Sequence, residues 1–295
     1  MTPAGAGANA YRTGLWCLAV TSVGWGLNWP AMKLLLRELP PLFARGTAGA
    51  VAAIFFLGMA LASGQSLRVP RPLRGRLVAS AFISVFVWMG FSSLAMRWLS
   101  VGQGALLVYT MPIWAALLAW PLRGQRLSIR AAVGLLLSVA GLWVLFGGAG
   151  LAFEAGQLAG VALALAAAVL FAFGTIALSP MSGMPPWAFL TWQLALGCAP
   201  MVLLGVLFEQ PDLSRISALG ATLWLYMAVV PMGLCYLAWF AALRRLPPAT
   251  ASIATLATPI VGVVAAGYAL GEPLGMREGL SILLTVGGVG LALKA

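Results

Sequence analysis

Pro112 and Pro259 each sit in the middle of a long apolar run. Proline has no backbone N–H and its ring clashes with the turn before it, so each frees a backbone carbonyl. In hydrocarbon, freed backbone is tolerated only against protein or a watery cavity. Both positions therefore point to a cavity inside a membrane protein, and both are candidate hinges. Pro231 and Gly233 loosen a third run and join them. The chemistry near such breaks is binding by aromatic faces, hydroxyls and an amide. The candidate binding residues are Trp25, Asn28, Ser84, Trp88, Tyr109, Tyr236, Trp239, Thr255 and Thr258. Helical spacing puts Ser84, Trp88 and Phe91 on one face and Tyr109 one turn before Pro112. Ala251, Thr255, Thr258 and Gly262 form a small, hydroxyl-bearing stripe. Lys33, on the same run as Asn28, either snorkels to the interface or draws a substrate carboxylate.

Bond-making chemistry has no constellation to work with. The chain has no His, and Cys17, Cys198 and Cys235 lie far apart, so neither a metal site nor a Ser/His/Asp arrangement is expected. Lys33 and Lys294 stand outside any Gly-x4-Gly-Lys-Ser/Thr phosphate loop. No catalytic residue, metal or cofactor is expected, and the chain does not read as an enzyme. The six acids, Glu38, Glu154, Glu209, Asp212, Glu272 and Glu278, all fall near helix ends or in loops. A mid-span carboxylate would be the default proton relay. Its absence suggests a facilitator or weakly coupled exchanger, with Glu272 as a solvated loop acid.

The elements that position these groups must be transmembrane helices. Hydrophobic residues make up 62% of the 295 and charged residues 8%, against about 25% charged in soluble domains. Ten runs of roughly 20 apolar residues, the length that spans a bilayer, fall near 13–36, 42–63, 76–96, 100–122, 128–148, 156–179, 186–208, 217–241, 249–270 and 276–294. The first is too long for a signal-peptide core and is read as a retained span. The net charge of +11 does not indicate nucleic acid, because the Arg residues stand singly or in short groups between apolar runs. With ten helices, 11 Lys and Arg residues fall on the side of the termini and 6 on the other. The positive-inside rule then places both termini in the cytoplasm.

A shift of 147 positions lays residues 95–141 on 242–288 with 13 of 47 pairs identical, among them Arg97 on Arg244, Pro112 on Pro259, Gly124 on Gly271 and Arg130 on Arg277. The fold expected is an all-α polytopic membrane protein of ten transmembrane helices in two five-helix repeats, residues 1–148 and 149–295. Five is odd, so the second repeat is inverted, with a substrate site between the halves near the midplane. The small-residue faces at Gly156 and Gly160, at Gly267 and Gly271, and along Ala164, Ala168 and Ala172 suit helix packing within a monomer or a dimer. Trp16, Trp98, Trp120, Trp187 and Trp224 read as interface anchors.

These stretches resemble the drug/metabolite transporter superfamily and its duplicated EamA-type five-helix unit. The resemblance rests on Trp25-Gly26-Leu27-Asn28, Pro41-Leu42-Phe43-Ala44-Arg45 and Trp239 through Leu246, followed by an Ala/Ser/Thr run, Thr258-Pro259, Gly271-Glu272 and Gly287-Gly288. Two positions depart from the family pattern: Gln125 stands where a glutamate is usual, and Thr258 where many members carry an acid. The resemblance implies a multi-pass carrier of a bacterial inner membrane, with membrane lipid and a small-molecule substrate as its partners. It is most similar to exporters of aromatic and other bulky apolar amino acids. Carriers of lipophilic drugs or nucleotide-sugar-like metabolites are the rival, and a non-transporting scaffold is the rival outside transport.

Overall fold

A computed structural model of the chain describes residues 4–124, 128–146, 155–178, 183–247, 250 and 254–293. Gln125, Arg126, Gly147-Gly148, Glu154, Pro248, Ala251 and Lys294 lie outside them. The described residues form ten helical segments and no strand. They are α1 Ala4–Leu35, α2 Pro41–Ala62, α3 Arg71–Ala95, α4 Val101–Arg123, α5 Ile129–Leu145, α6 Ala155–Leu178, α7 Pro186–Glu209, α8 Ala218–Leu243, α9 Ala257–Leu270 and α10 Met276–Ala292. Six of them, α2, α3, α4, α6, α7 and α8, are long and apolar enough to cross a membrane, and α5 and α9 are shorter apolar helices.

Local chemistry sets the ends. Pro41 and Pro186 open α2 and α7, each after a proline in extended backbone, because the missing N–H is unpaired at that position anyway. The hydroxyls of Ser100, Ser128 and Ser217 accept from the third amide of α4, α5 and α8. Gly124 and Gly271, 147 residues apart, end α4 and α9 at φ 67° and 68°, a conformation glycine adopts without a Cβ clash.

The repeat is visible in the packing. Helices α5 and α10 run antiparallel in close contact, with Gly134 against Gly288 and Gly141 against Ser281 and Thr285. A Cβ on either Gly134 or Gly288 would collide with the other's carbonyl oxygen. Ser138 Oγ donates to the Thr285 carbonyl at 3.1 Å. Those two residues occupy the same place in the two repeats, so an approximate two-fold axis passes between them. Such interhelical bonds contribute about 0.6 kcal/mol each in membranes, which leaves close packing as the main adhesive. Helices α2 and α7 pair across the halves in the same way, while α1 packs on α8 and α9 and α6 packs on α3 and α4. The first helix of each repeat thus completes the other repeat. The small-residue face of α6 is used inside the chain: Ala164, Ala168 and Ala172 are buried, and Gly160 meets Ala95 and Leu99.

Five helices depart from α-geometry: α7 ends in a π-helical turn over Gly205–Glu209, and the other four are corresponding pairs. Helix α3 is a π-helix from Phe82 to Phe91, and α8 is one from Val230 to Leu234. Helix α4 breaks at a turn over Tyr109 and Thr110, and the chain entering α9 turns at Thr255 and Leu256. The uninterrupted helices expected over 100–122 and 249–270 are therefore each broken two to four residues before the proline. Around the first break, Ile113 N reaches back only to Thr110 O at 2.9 Å, an i→i−3 turn.

Candidate functional site

These irregular stretches surround a cavity of ≈ 430 Å³. Its walls come from both halves: Trp25, Asn28, Trp29 and Met32 of α1, Ser84 and Trp88 of α3, Tyr109 and Pro112 of α4, Phe171 and Thr175 of α6, and Pro231, Tyr236 and Trp239 of α8. Thr255 and Leu256, at the turn before α9, complete them. Aromatic rings set its shape. Trp25 lies 5.8 Å from both Tyr236 and Trp239, and Trp88 lies 4.4 Å from Phe171. The Trp25 indole donates to the Pro231 carbonyl at 2.9 Å, which ties α1 to the π-helical stretch of α8. The described lining contains no acidic side chain and one cation, Arg45 of α2.

Arg45 is 8% exposed. Its Nη1 donates to Asn28 Oδ1 at 3.3 Å, and its Nε has no partner. The ionisable groups acting on it are Tyr236, Cys198 and Tyr109, none of them a carboxylate.

The cavity is closed at one end. It extends to Thr175, Trp239 and Leu293 on the side of the chain termini and stops at Met32, Arg45 and Ser92 in the other direction. Beyond that limit Leu35, Leu39, Met96, Leu99 and Val101 pack into a buried plug. Charged side chains brace the plug. Lys33 Nζ donates to the carbonyls of Met96 and Leu99, just past the end of α3. Glu272 accepts from Val101 N at 2.7 Å and Gly102 N at 3.3 Å, at the start of α4. Glu209 accepts from Leu42 N and Phe43 N at the start of α2, and Glu38 from the amide and hydroxyl of Ser217 at the start of α8. A carboxylate on the unpaired amides of a helix start satisfies two donors and complements the helix dipole.

The profile of the EamA-like transporter family matches this chain twice, over residues 12–147 and 158–294. The chain belongs to the EamA-like transporter family. It is a multi-pass membrane transporter and not an enzyme. An uncharacterized transporter of Bacillus subtilis strain 168, YvbV, is 26% identical over 93% of this chain and 89% of its own length. A Salmonella typhimurium protein named a probable amino-acid metabolite efflux pump is 27% identical over 94% of this chain and 93% of its own. A solved crystal structure has the same fold, with a TM-score of 0.67 and 22% identity over 97% of this chain and 96% of that one.

In this EamA-like transporter, eight of the nine sequence-derived binding candidates line the cavity: Trp25, Asn28, Ser84, Trp88, Tyr109, Tyr236, Trp239 and Thr255. Thr258 does not; it is 0% exposed. The turn at Thr255 and Leu256 interrupts the expected stripe, and beyond it Thr258 and Gly262 pack against Gly26 and Trp29 of α1. Phe91 also falls outside, because the i→i+5 repeat of a π-helix carries residue i+7 off the face. Of the hinge candidates, Pro112 and Pro231 line the cavity, whereas Pro259 and Gly233 are buried behind it. Lys33 neither snorkels nor faces the cavity, since the carbonyls beyond α3 hold it. Glu272 is likewise no free loop acid, being bound to α4. Among the expected interface anchors, Trp16, Trp98 and Trp120 are exposed, but Trp187 stacks on Phe56 and Trp224 donates to Thr47. Arg45 lines the cavity too and is not among the sequence-derived candidates. The signal for it is a lone Arg one turn inside an apolar helix opened by Pro41.

Proposed function

We propose that this transporter exports amino acids, aromatic and other bulky apolar ones among them, or closely related small metabolites, by alternating access. The observation that carries this reading is the cavity itself, walled by aromatic rings from both repeats, with one cation in its described lining, and bounded by helix breaks at corresponding places. Its volume of ≈ 430 Å³ lies in the lower part of the ligand-pocket range of about 300–1,000 Å³ and suits an amino acid better than a nucleotide sugar. The efflux pump named among its relatives supports the same substrate class. A scaffold would have no use for paired helix breaks around a cavity.

In this reading residues 1–148 and 149–295 are the two repeats, and they exchange conformations about the breaks. Pro112, Pro259, Pro231 and Gly233 mark where the backbone angles change. The chain sits in a bacterial inner membrane with both termini in the cytoplasm. The charge count favours this orientation further once Lys33 and Arg45 are removed as internal, since 6 − 2 = 4 basic residues then remain on the outer side against 11. The cavity then opens to the cytoplasm, where an exporter loads. With no acid in the described lining, coupling to protons is not required. The test is flux of labelled phenylalanine, leucine and glutamate in proteoliposomes, with and without a pH gradient. Saturable phenylalanine flux without the gradient supports the reading. Flux of none of the three, or flux only with the gradient, contradicts it.

A further inference from the structure

Among the described residues of the lining, Arg45 has no counter-charge, and this bears on what the cavity takes. An uncompensated charge in a membrane interior costs several kcal/mol and is retained where it has work to do. Arg45 has the geometry for one task. Its Nη1 is committed to Asn28, and its Nε is unpaired although the residue is more than nine-tenths buried. The Nε–Nη2 edge points away from the Asn28 bond, and that edge of a guanidinium takes a carboxylate side-on through two parallel hydrogen bonds. Asn28 turns its oxygen to Arg45, which leaves its NH2 donors over, and Asn28 also lines the cavity. The aromatic surfaces of Trp25, Trp88, Phe171 and Trp239 lie toward the open end, on the terminal side of Arg45.

We propose that Arg45, oriented by Asn28, anchors the carboxylate of the substrate at the closed end of the cavity, with the substrate's apolar part among the aromatic rings. The substrate is then a small carboxylate with a bulky apolar remainder, and a neutral or purely cationic lipophile is refused. The inference rests on the transport reading and adds the group recognised. The simplest competing role is structural, with Arg45 present only to hold α2 to α1 through Asn28.

Binding to the purified full-length protein separates these roles, with phenylalanine, phenylalaninamide and 3-phenylpropionate as probes and tryptophan fluorescence and thermal stability as readouts. The wild-type protein should bind phenylalanine about tenfold or more tighter than its amide, the scale of one charge-assisted bond. Arg45→Met should bring that ratio to about one, chiefly by weakening phenylalanine. It should also raise the melting temperature of the ligand-free protein, because an unpaired buried charge has been removed. A structural role predicts a lower melting temperature and an unchanged ratio. Asn28→Asp is the second variant. It gives Arg45 an internal carboxylate and should suppress phenylalanine binding by about tenfold or more without lowering the melting temperature. Equal wild-type affinity for phenylalanine and its amide overturns the anchor and leaves the transport reading standing. Binding of 3-phenylpropionate but not phenylalanine keeps the anchor and removes amino acids as the substrate.

Discussion

At the closed end of the cavity, Glu209 grips the first amides of α2; at the open end, Gln65 accepts from Trp187 N at 3.1 Å, at the start of α7. The two contacts are alike in kind: Glu209 is the last residue of α7, Gln65 stands three residues past α2, and each reaches the start of the paired helix. One is a carboxylate and the other an amide. The closed end adds Glu272 on α4, Glu38 on α8 and Lys33 on the carbonyls beyond α3. The open end instead has exposed guanidinium contacts, Arg76 to the Leu178 carbonyl and Arg123 to that of Ile176, and water screens these. Near-symmetric repeats therefore have unequal closures: charge-assisted bonds hold the closed end, and mostly neutral or screened ones meet the open end. In the orientation proposed above, the closed end is the outer one and the open end the inner one.

The largest test of that contrast removes Glu272. Glu272→Ala leaves two amides of α4 without their acceptor, and bonds to a charged group contribute about 1.5–3 kcal/mol. The balance between inward-open and outward-open forms should move outward by roughly 10- to 100-fold. A cysteine placed at Met32 should then become reactive to a membrane-impermeant thiol reagent added outside. Next comes Pro112→Ala, which restores a backbone donor at the break in α4. It should slow counterflow by about tenfold while leaving binding affinity nearly unchanged, because a stiffened hinge raises a barrier without altering the pocket. Exchanging the counterparts should act more gently. Glu209→Gln and Gln65→Glu each alter a helix-terminus interaction of about 0.3–1 kcal/mol, and both should favour the outward-open form by about two- to fivefold in the same labelling assay. The smallest effect concerns pH. The amide and hydroxyl of Ser217 hold the Glu38 carboxyl below its ordinary value of 4.5. Its contribution is therefore complete above that value and disappears as pH falls through the lowered one. Melting curves of wild type and Glu38→Gln should differ by a constant amount from neutral pH down to 4.5 and converge only below it.

Much of this architecture is legible in the sequence, because it depends on local signals. Apolar run length gives the helices, Pro40-Pro41 and Pro185-Pro186 give two helix starts, and the 147-residue register foretells Ser138 facing Thr285. Pro112, Pro259, Pro231 and Gly233 mark three of the four irregular stretches around the cavity, since each removes a donor or weakens a turn. The fourth, the π-helix of α3, contains no proline, and only Ser84 and Gly90 interrupt its apolar residues; packing against α6 and α7 accompanies it, and no local rule indicates it. The roles of Glu272, Glu209 and Lys33 were hidden for a related reason. Each reaches a helix end far away in sequence, and nothing near a carboxylate reveals which distant amides it will meet. Arg45 looked like a charge for the orientation count because its position near the start of α2 is compatible with an interface. Its burial depends on α1 and α8 closing over it.

Paired distance measurements test the alternating closure of the two ends most directly. Spin labels at Trp98 and Leu274 span the Glu272 contact at the outer end, and labels at Arg76 and Arg245 span α3 and α8 at the inner end. Without ligand the outer pair should give one short distance and the inner pair a long one. Saturating phenylalanine should populate a second state in which the outer distance lengthens and the inner one shortens together, and Glu272→Ala should populate that state without ligand. Distances that lengthen at both ends together, or an outer pair that stays short under every condition, would contradict the account.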